Sequence, residues 1–168
     1  MKAMVVERII DWVEEHGGTT LPTNILYYRD GVGDSQYRDI KTTELPQIQL
    51  AFDTVVTNLK NKKSIPSTAN PKINITAIVC AKRHNTRFYP GEGDEDSHNN
   101  CHPGTFVDDV VCSPYYQDFY LQSHCALKGT ARPTHYFVIQ NDMSNSVYDL
   151  CQLVSWTSFL DCDILTIH

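Results

Sequence analysis

Two short β-prone runs separated by a long amphipathic stretch set the strongest limit on how this chain folds. Asn24 to Tyr28 (Asn-Ile-Leu-Tyr-Tyr) and Ile73 to Cys80 (Ile-Asn-Ile-Thr-Ala-Ile-Val-Cys) have the composition of strands covered on both faces. Between them, from Ser35 onward, a long helix is expected, with Ile40, Leu45, Ile48, Leu50, Ala51, Phe52, Val55, Val56 and Leu59 as its apolar residues. Pro46 lacks a backbone N–H and is expected to kink or restart that helix. Lys60 to Pro71, polar and carrying two prolines, reads as the connecting loop. Strand, long helix, strand predicts a right-handed parallel crossover, and therefore an α/β fold.

The flanking segments fit the same class. Val5, Val6, Ile9, Ile10, Trp12 and Val13 predict a helix over Met1 to Glu15, stopped by Gly17 and Gly18. Shorter strands are expected at Arg87 to Tyr89, Thr105 to Val111, Asp118 to Gln122 and His135 to Ile139, with a last helix at about Ser146 to Leu160. A chain of 168 residues with 41% hydrophobic content has room for one domain with a real core. No apolar run approaches a membrane span. Glu7, Arg8, Asp11, Glu14 and Glu15 interrupt the first helix in a way that a signal peptide would not tolerate, so an intracellular chain is expected.

Six cysteines without a C-x-x-C motif or zinc-spaced partners read as reduced, idle thiols. Asn74-Ile75-Thr76 is formally a glycosylation sequon and is expected to be idle in such a chain. The net charge of −6 argues against a surface that coats nucleic acid throughout, but it leaves room for a local basic groove. Lys82, Arg83 and Arg87 form one basic stretch, and Lys128 and Arg132 a second. The acidic run Glu92, Asp94, Glu95 and Asp96 between them reads as a solvated loop.

Asp30 is the sharpest local feature. It leaves the carboxyl end of a buried-type strand just before Gly31, where open α/β sheets place ligands. Its carboxylate suits Mg²⁺; equally, an Asp-Gly pair can simply hold its own turn. Lys82-Arg83-His84-Asn85-Thr86-Arg87 follows the second strand directly, with cationic forks and amide donors suited to phosphate. Ser123 to Pro133 adds Lys128, Arg132, hydroxyls and a glycine that permits close approach. Two such stretches on one sheet edge, beside an aspartate, point to phosphate binding.

Five blocks carry a resemblance. Tyr28-Arg29-Asp30-Gly31-Val32, Ala81 to Arg87, Pro103-Gly104-Thr105 with Val107-Asp108, Asp118-Phe119-Tyr120-Leu121 with Ser123-His124, and Lys128 to Tyr136 resemble the PIWI domain of eukaryotic Argonaute proteins in order and spacing. The resemblance implies a ribonuclease H-like fold, incomplete here, with a mixed sheet flanked by helices. Residues 1–150 would form the partial PIWI domain and 151–168 a divergent tail. It implies a small guide RNA and a target RNA as partners, tryptophan-bearing silencing proteins as further ones, no membrane, and a place in the cytoplasm and also the nucleus. By position, Asp30 resembles one catalytic, metal-binding aspartate of the family's tetrad, which holds Mg²⁺ or Mn²⁺. Lys82, Arg83, His84, His124, Lys128 and Arg132 resemble residues lining the guide backbone.

The departures shape the functional expectation. The family's first aspartate and its glutamate would precede Met1, and the stretch 151–168 lacks the Pro-Ala-Tyr-Tyr-Ala-like run that announces the fourth ligand. His168 is not assigned that role. The implied reading is an RNA-binding module of gene silencing that holds metal weakly or not at all and does not cleave. A metal-dependent, RNA-guided endoribonuclease completed by another chain is the alternative. An unpaired strand edge is expected where part of the family's sheet is missing.

Overall fold

The computed structural model describes residues 1–126, 128–157 and 165–167. Helix α1 (Lys2–Glu15) leads into β1 (Asn24–Asp30), and the chain then winds continuously from Asp34 to Asn61. This winding is not uniform. A 3₁₀ turn (Asp34–Gln36) and a short α2 (Tyr37–Asp39) pass into a π-helical segment (Ile40–Glu44) before α3 (Leu45–Asn61). Pro46, in the first turn of α3, cannot donate to the carbonyl four residues back, and the wider π winding lies immediately before it. The expected restart of the helix therefore falls at Leu45.

Strands β2 (Asn74–Ala81), β3 (Thr105–Val107), β4 (Asp118–Gln122) and β5 (Thr134–Asn141) follow, then α4 (Val147–Thr157) and β6 (Leu165–Ile167). The sheet order is β3-β4-β5-β2-β1-β6. Only β1 and β2 run parallel, in register from Asn24 opposite Asn74 to Asp30 opposite Cys80; the other pairs are antiparallel. This is the mixed sheet of a ribonuclease H-like fold.

The central strands are covered on both sides, as their composition predicts. On one side Val5, Ile9 and Val13 of α1 and Ile48, Phe52 and Val55 of α3 pack over Ile25, Ile75 and Ala77. On the other, Leu150 and Val154 of α4 pack over Leu26, Tyr28, Ile78, Phe119, Leu121 and Val138. Full burial of a Phe or Ile side chain contributes roughly 1.5–3 kcal/mol, so these two layers supply most of the driving force.

Two expectations are corrected. Arg87 to Tyr89 is not a strand; β5 begins at Thr134 beside Ala81, so no strand lies beyond the end of β2 to receive it. The strand expected over Thr105 to Val111 stops at Val107. Asp118 turns its carboxylate to the Ser113 N–H, and Val110 sits at φ 61, so the ladder does not continue. At the other side of the sheet, β6 pairs with β1 only from Ile25 to Tyr27. Of the expected last helix, residues 158–160 lie outside the described residues.

Candidate nucleic-acid interface

The carboxyl ends of β1, β2 and β4 and the start of β5 meet at one edge of the sheet. Asp30 lies opposite Cys80, Ala81 opposite His135, and Leu121 opposite Thr134. The loops after Asp30, Ala81 and Gln122 therefore emerge side by side, although they are far apart along the chain. Gly31, at φ 77, makes the turn after Asp30 in the left-handed region that glycine adopts without penalty.

The Asp30 carboxylate faces a cation. Its Oδ2 lies 3.4 Å from Lys82 Nζ, with both side chains substantially solvated. Among the described residues no group of three or more His, Cys, Asp or Glu converges as a metal cage. Two divalent ions need several shared carboxylates to offset their mutual repulsion. Asp30 with an ammonium partner does not fit such a centre on its own.

Lys82, Arg83, His124, Lys128 and Arg132 are all exposed, on the two loops that the sequence singles out. His84 behaves differently. Its Nε2 lies 2.9 Å from the Pro133 carbonyl oxygen, so the ring donates there and the two loops are joined. Nδ1 is then a bare acceptor, buried and without a hydrogen-bond partner. Burial, reinforced by the nearby His135, Arg87 and Arg132, pushes the His84 pKa below its ordinary value despite the Pro133 hydrogen bond. His84 therefore ties the loops together and adds no positive charge to the rim. Arg87 is also turned inward, donating to the His84 and Thr86 carbonyls at 3.1 and 2.6 Å.

Two features escape a reading of the sequence. The acidic run is not wholly solvated: Asp96 and Asn100 are buried, at 7% and 2% exposure. Asp96 Oδ1 accepts from the backbone N–H of His98 and of Asn100, and these bonds hold its pKa below the usual carboxylate range. An Asp-x-x-x-Asn spacing bounding a tight turn is the signal that could have revealed this. Beneath the rim, His135 Nε2 donates to Asp118 Oδ2 at 2.7 Å, and the imidazole stacks on Tyr120 with ring centroids 4.3 Å apart. Both lie in a cleft of about 830 Å³ shared with Tyr37, Tyr116 and Phe137. No local pattern marks that pair, because the sheet register brings it together.

A mixed sheet with helices on both faces and cationic loops at the strand ends defines a ribonuclease H-like domain with a cationic rim. The Piwi domain profile matches residues 1–163, and the chain belongs to that family. It is 34% identical over 158 residues to protein argonaute 4A of Oryza sativa subsp. japonica, covering 94% of this chain and 16% of the relative. Over 142 residues it is 38% identical to protein argonaute-2 of Drosophila melanogaster, covering 79% of this chain and 10% of the relative. In structure it is similar to Kluyveromyces polysporus Argonaute with a guide RNA, with a TM-score of 0.78, 28% identity, and coverage of 90% of this chain and 18% of that one. Drosophila Piwi gives 0.68 and 27%, covering 99% and 21%. The chain thus spans only 10% and 16% of the length of the two argonaute relatives.

Proposed function

We propose that this chain binds the phosphate backbone of a small guide RNA, with the target RNA alongside, as the PIWI part of a small-RNA-guided silencing protein. Lys82, Arg83, Lys128 and Arg132 supply the cations, and His124 a further donor. The observation that carries the reading is the His84–Pro133 hydrogen bond, which joins the two loops bearing those cations into one rim. Family membership and a structural neighbour crystallised with a guide RNA support it. Contacts of this kind ignore base sequence and depend steeply on salt. Replacing Lys82, Arg83 and Arg132 together by alanine should flatten the slope of log affinity against log salt by roughly 0.7 for each phosphate that is no longer neutralised. An unchanged slope in the triple variant would refute the rim.

We further infer a surface for partner docking. Between α1 and α3 lies a cleft of about 400 Å³ whose apolar lining includes Ile10, Val13, Val55 and Leu59. The cleft has room for an indole against these apolar side chains, so a tryptophan-bearing silencing protein would insert a side chain there. Leu59→Arg should abolish binding of a tryptophan peptide and leave RNA affinity unchanged; equal peptide binding by both chains refutes it.

A further inference from the structure

The segment between the two basic loops is built as a hook, and the hook grips the second loop between its cations. Asn100 is 2% exposed, and its side-chain amide reaches across 29 residues of sequence. Nδ2 donates to the Gly129 carbonyl at 3.1 Å, and Oδ1 accepts from the Ala131 N–H at 2.7 Å. A single planar amide thus satisfies one acceptor and one donor two residues apart, as a neighbouring strand would. Asp96 braces the hook from behind: its backbone N–H donates to the Asn100 carbonyl at 2.8 Å, and its carboxylate accepts from the Asn100 N–H at 2.9 Å. Asn99 closes the turn at φ 58, a left-handed conformation that asparagine tolerates well.

The gripped residues matter because of what flanks them. Lys128 precedes Gly129, and Arg132 follows Ala131; both are exposed, whereas Ala131 is buried. The described residues between Ser123 and Pro133 include a glycine and form no strand or helix. Left alone, a loop of this kind would have to be ordered when a ligand binds, at a cost of rotamer and backbone freedom. Asn100 holds the backbone at Gly129 and Ala131, next to the residues that bear the two cations.

We infer that Asn100, braced by Asp96, is a positioning residue for RNA binding that sets Lys128 and Arg132 against the phosphate backbone without touching RNA itself. This inference rests on the phosphate-rim reading proposed above. Only an amide fits the role. Aspartate would turn a second acceptor toward the Gly129 carbonyl, and alanine would leave both loop groups unmatched beside a buried residue.

The test uses the full chain and a labelled oligouridylate, with affinity measured across a salt series. Asn100→Ala should weaken binding roughly five- to tenfold at low salt and flatten the log–log slope by up to about 1.4, the share of two phosphates. The effect should be non-additive with Lys128→Ala plus Arg132→Ala, and additive with Lys82→Ala plus Arg83→Ala. Amide exchange at Ala131 should accelerate in the variant, while amides in β2 keep their protection. Asn100→Asp keeps the side-chain volume and one acceptor, and it carries the same test if the alanine variant does not fold. If the Lys82 and Arg83 variants flatten the slope but the Asn100 variants leave it intact, or act additively with Lys128 and Arg132, the positioning role is overturned and the rim stands. A wild-type chain with no salt-dependent affinity overturns the rim and the positioning role together. Outright unfolding of both Asn100 variants also overturns the role, because the hook would then serve the fold as a whole.

Discussion

Lys82 Nζ lies 3.4 Å from Asp30 Oδ2, so the residue expected to meet phosphate and the residue expected to meet metal meet each other. The parallel register of β1 and β2 enforces this, since Asp30 sits opposite Cys80, two residues before Lys82. At this strand end a carboxylate and an ammonium share one patch of surface. What binds there is decided by which of the two charges is left uncompensated.

Asp30→Ala should therefore tighten RNA binding in metal-free, low-salt buffer. Removing the carboxylate takes away a charge that repels phosphate and competes for Lys82. A pair this exposed is worth at most about 1 kcal/mol, which caps the gain at roughly fivefold. The difference should vanish at high salt. Fluorescence anisotropy across a salt series checks it, and weaker binding by the variant would show Asp30 acting through a cation.

Guide-directed cleavage is expected to be absent from this chain alone with either Mg²⁺ or Mn²⁺. A two-ion centre holds its ions about 4 Å apart by shared carboxylates, and Asp30 is the sole matched carboxylate among the described residues. A single-turnover assay with guide and fully paired target tests this against Asp30→Ala. Metal-dependent cutting at one position, lost in the variant, would mean that further ligands complete the site.

Stability should fall as pH drops below about 6.5, the ordinary histidine value. Burial lowers the pKa of His84 in the folded chain, so the unfolded chain binds more protons across the window between the folded and unfolded values. The contribution is fully present above the unfolded value and is lost as pH falls toward the folded one. Urea midpoints measured from neutral to mildly acidic pH should show this decline. His84→Ala should reduce it while lowering stability at neutral pH by loss of the Pro133 bond.

Phe52→Ala should cost about 3–5 kcal/mol, the usual range for deleting a large buried side chain. Phe52 is 0% exposed between α1 and the sheet, whereas Leu50, two residues earlier on the same helix, is 52% exposed. Leu50→Ala should stay within about 0.5 kcal/mol of wild type. Equilibrium urea unfolding of the two variants separates burial from helix propensity.

The sequence by itself determined the parts whose cause is local. Apolar periodicity placed α1, β1, α3 and β2, because each must bury a stripe or a face and the spacing shows which. The same runs located Asp30 and both basic stretches at strand ends, and the order of five motifs carried the family. Tertiary structure decided what depends on partners distant in the chain. Arg87 to Tyr89 has strand-like residues but no neighbouring strand, so it does not become one. His84 resembles one more residue lining the guide backbone until its ring donates to the Pro133 carbonyl, 49 residues away, and burial lowers its pKa. Asp96 reads as one more solvated acid until its turn closes on Asn100 and Asn100 closes on Gly129 and Ala131. In each case the residue type limits what a group can do. The sheet register and the loops that it brings together then select among those possibilities, because desolvation and hydrogen-bond geometry are properties of the assembled fold.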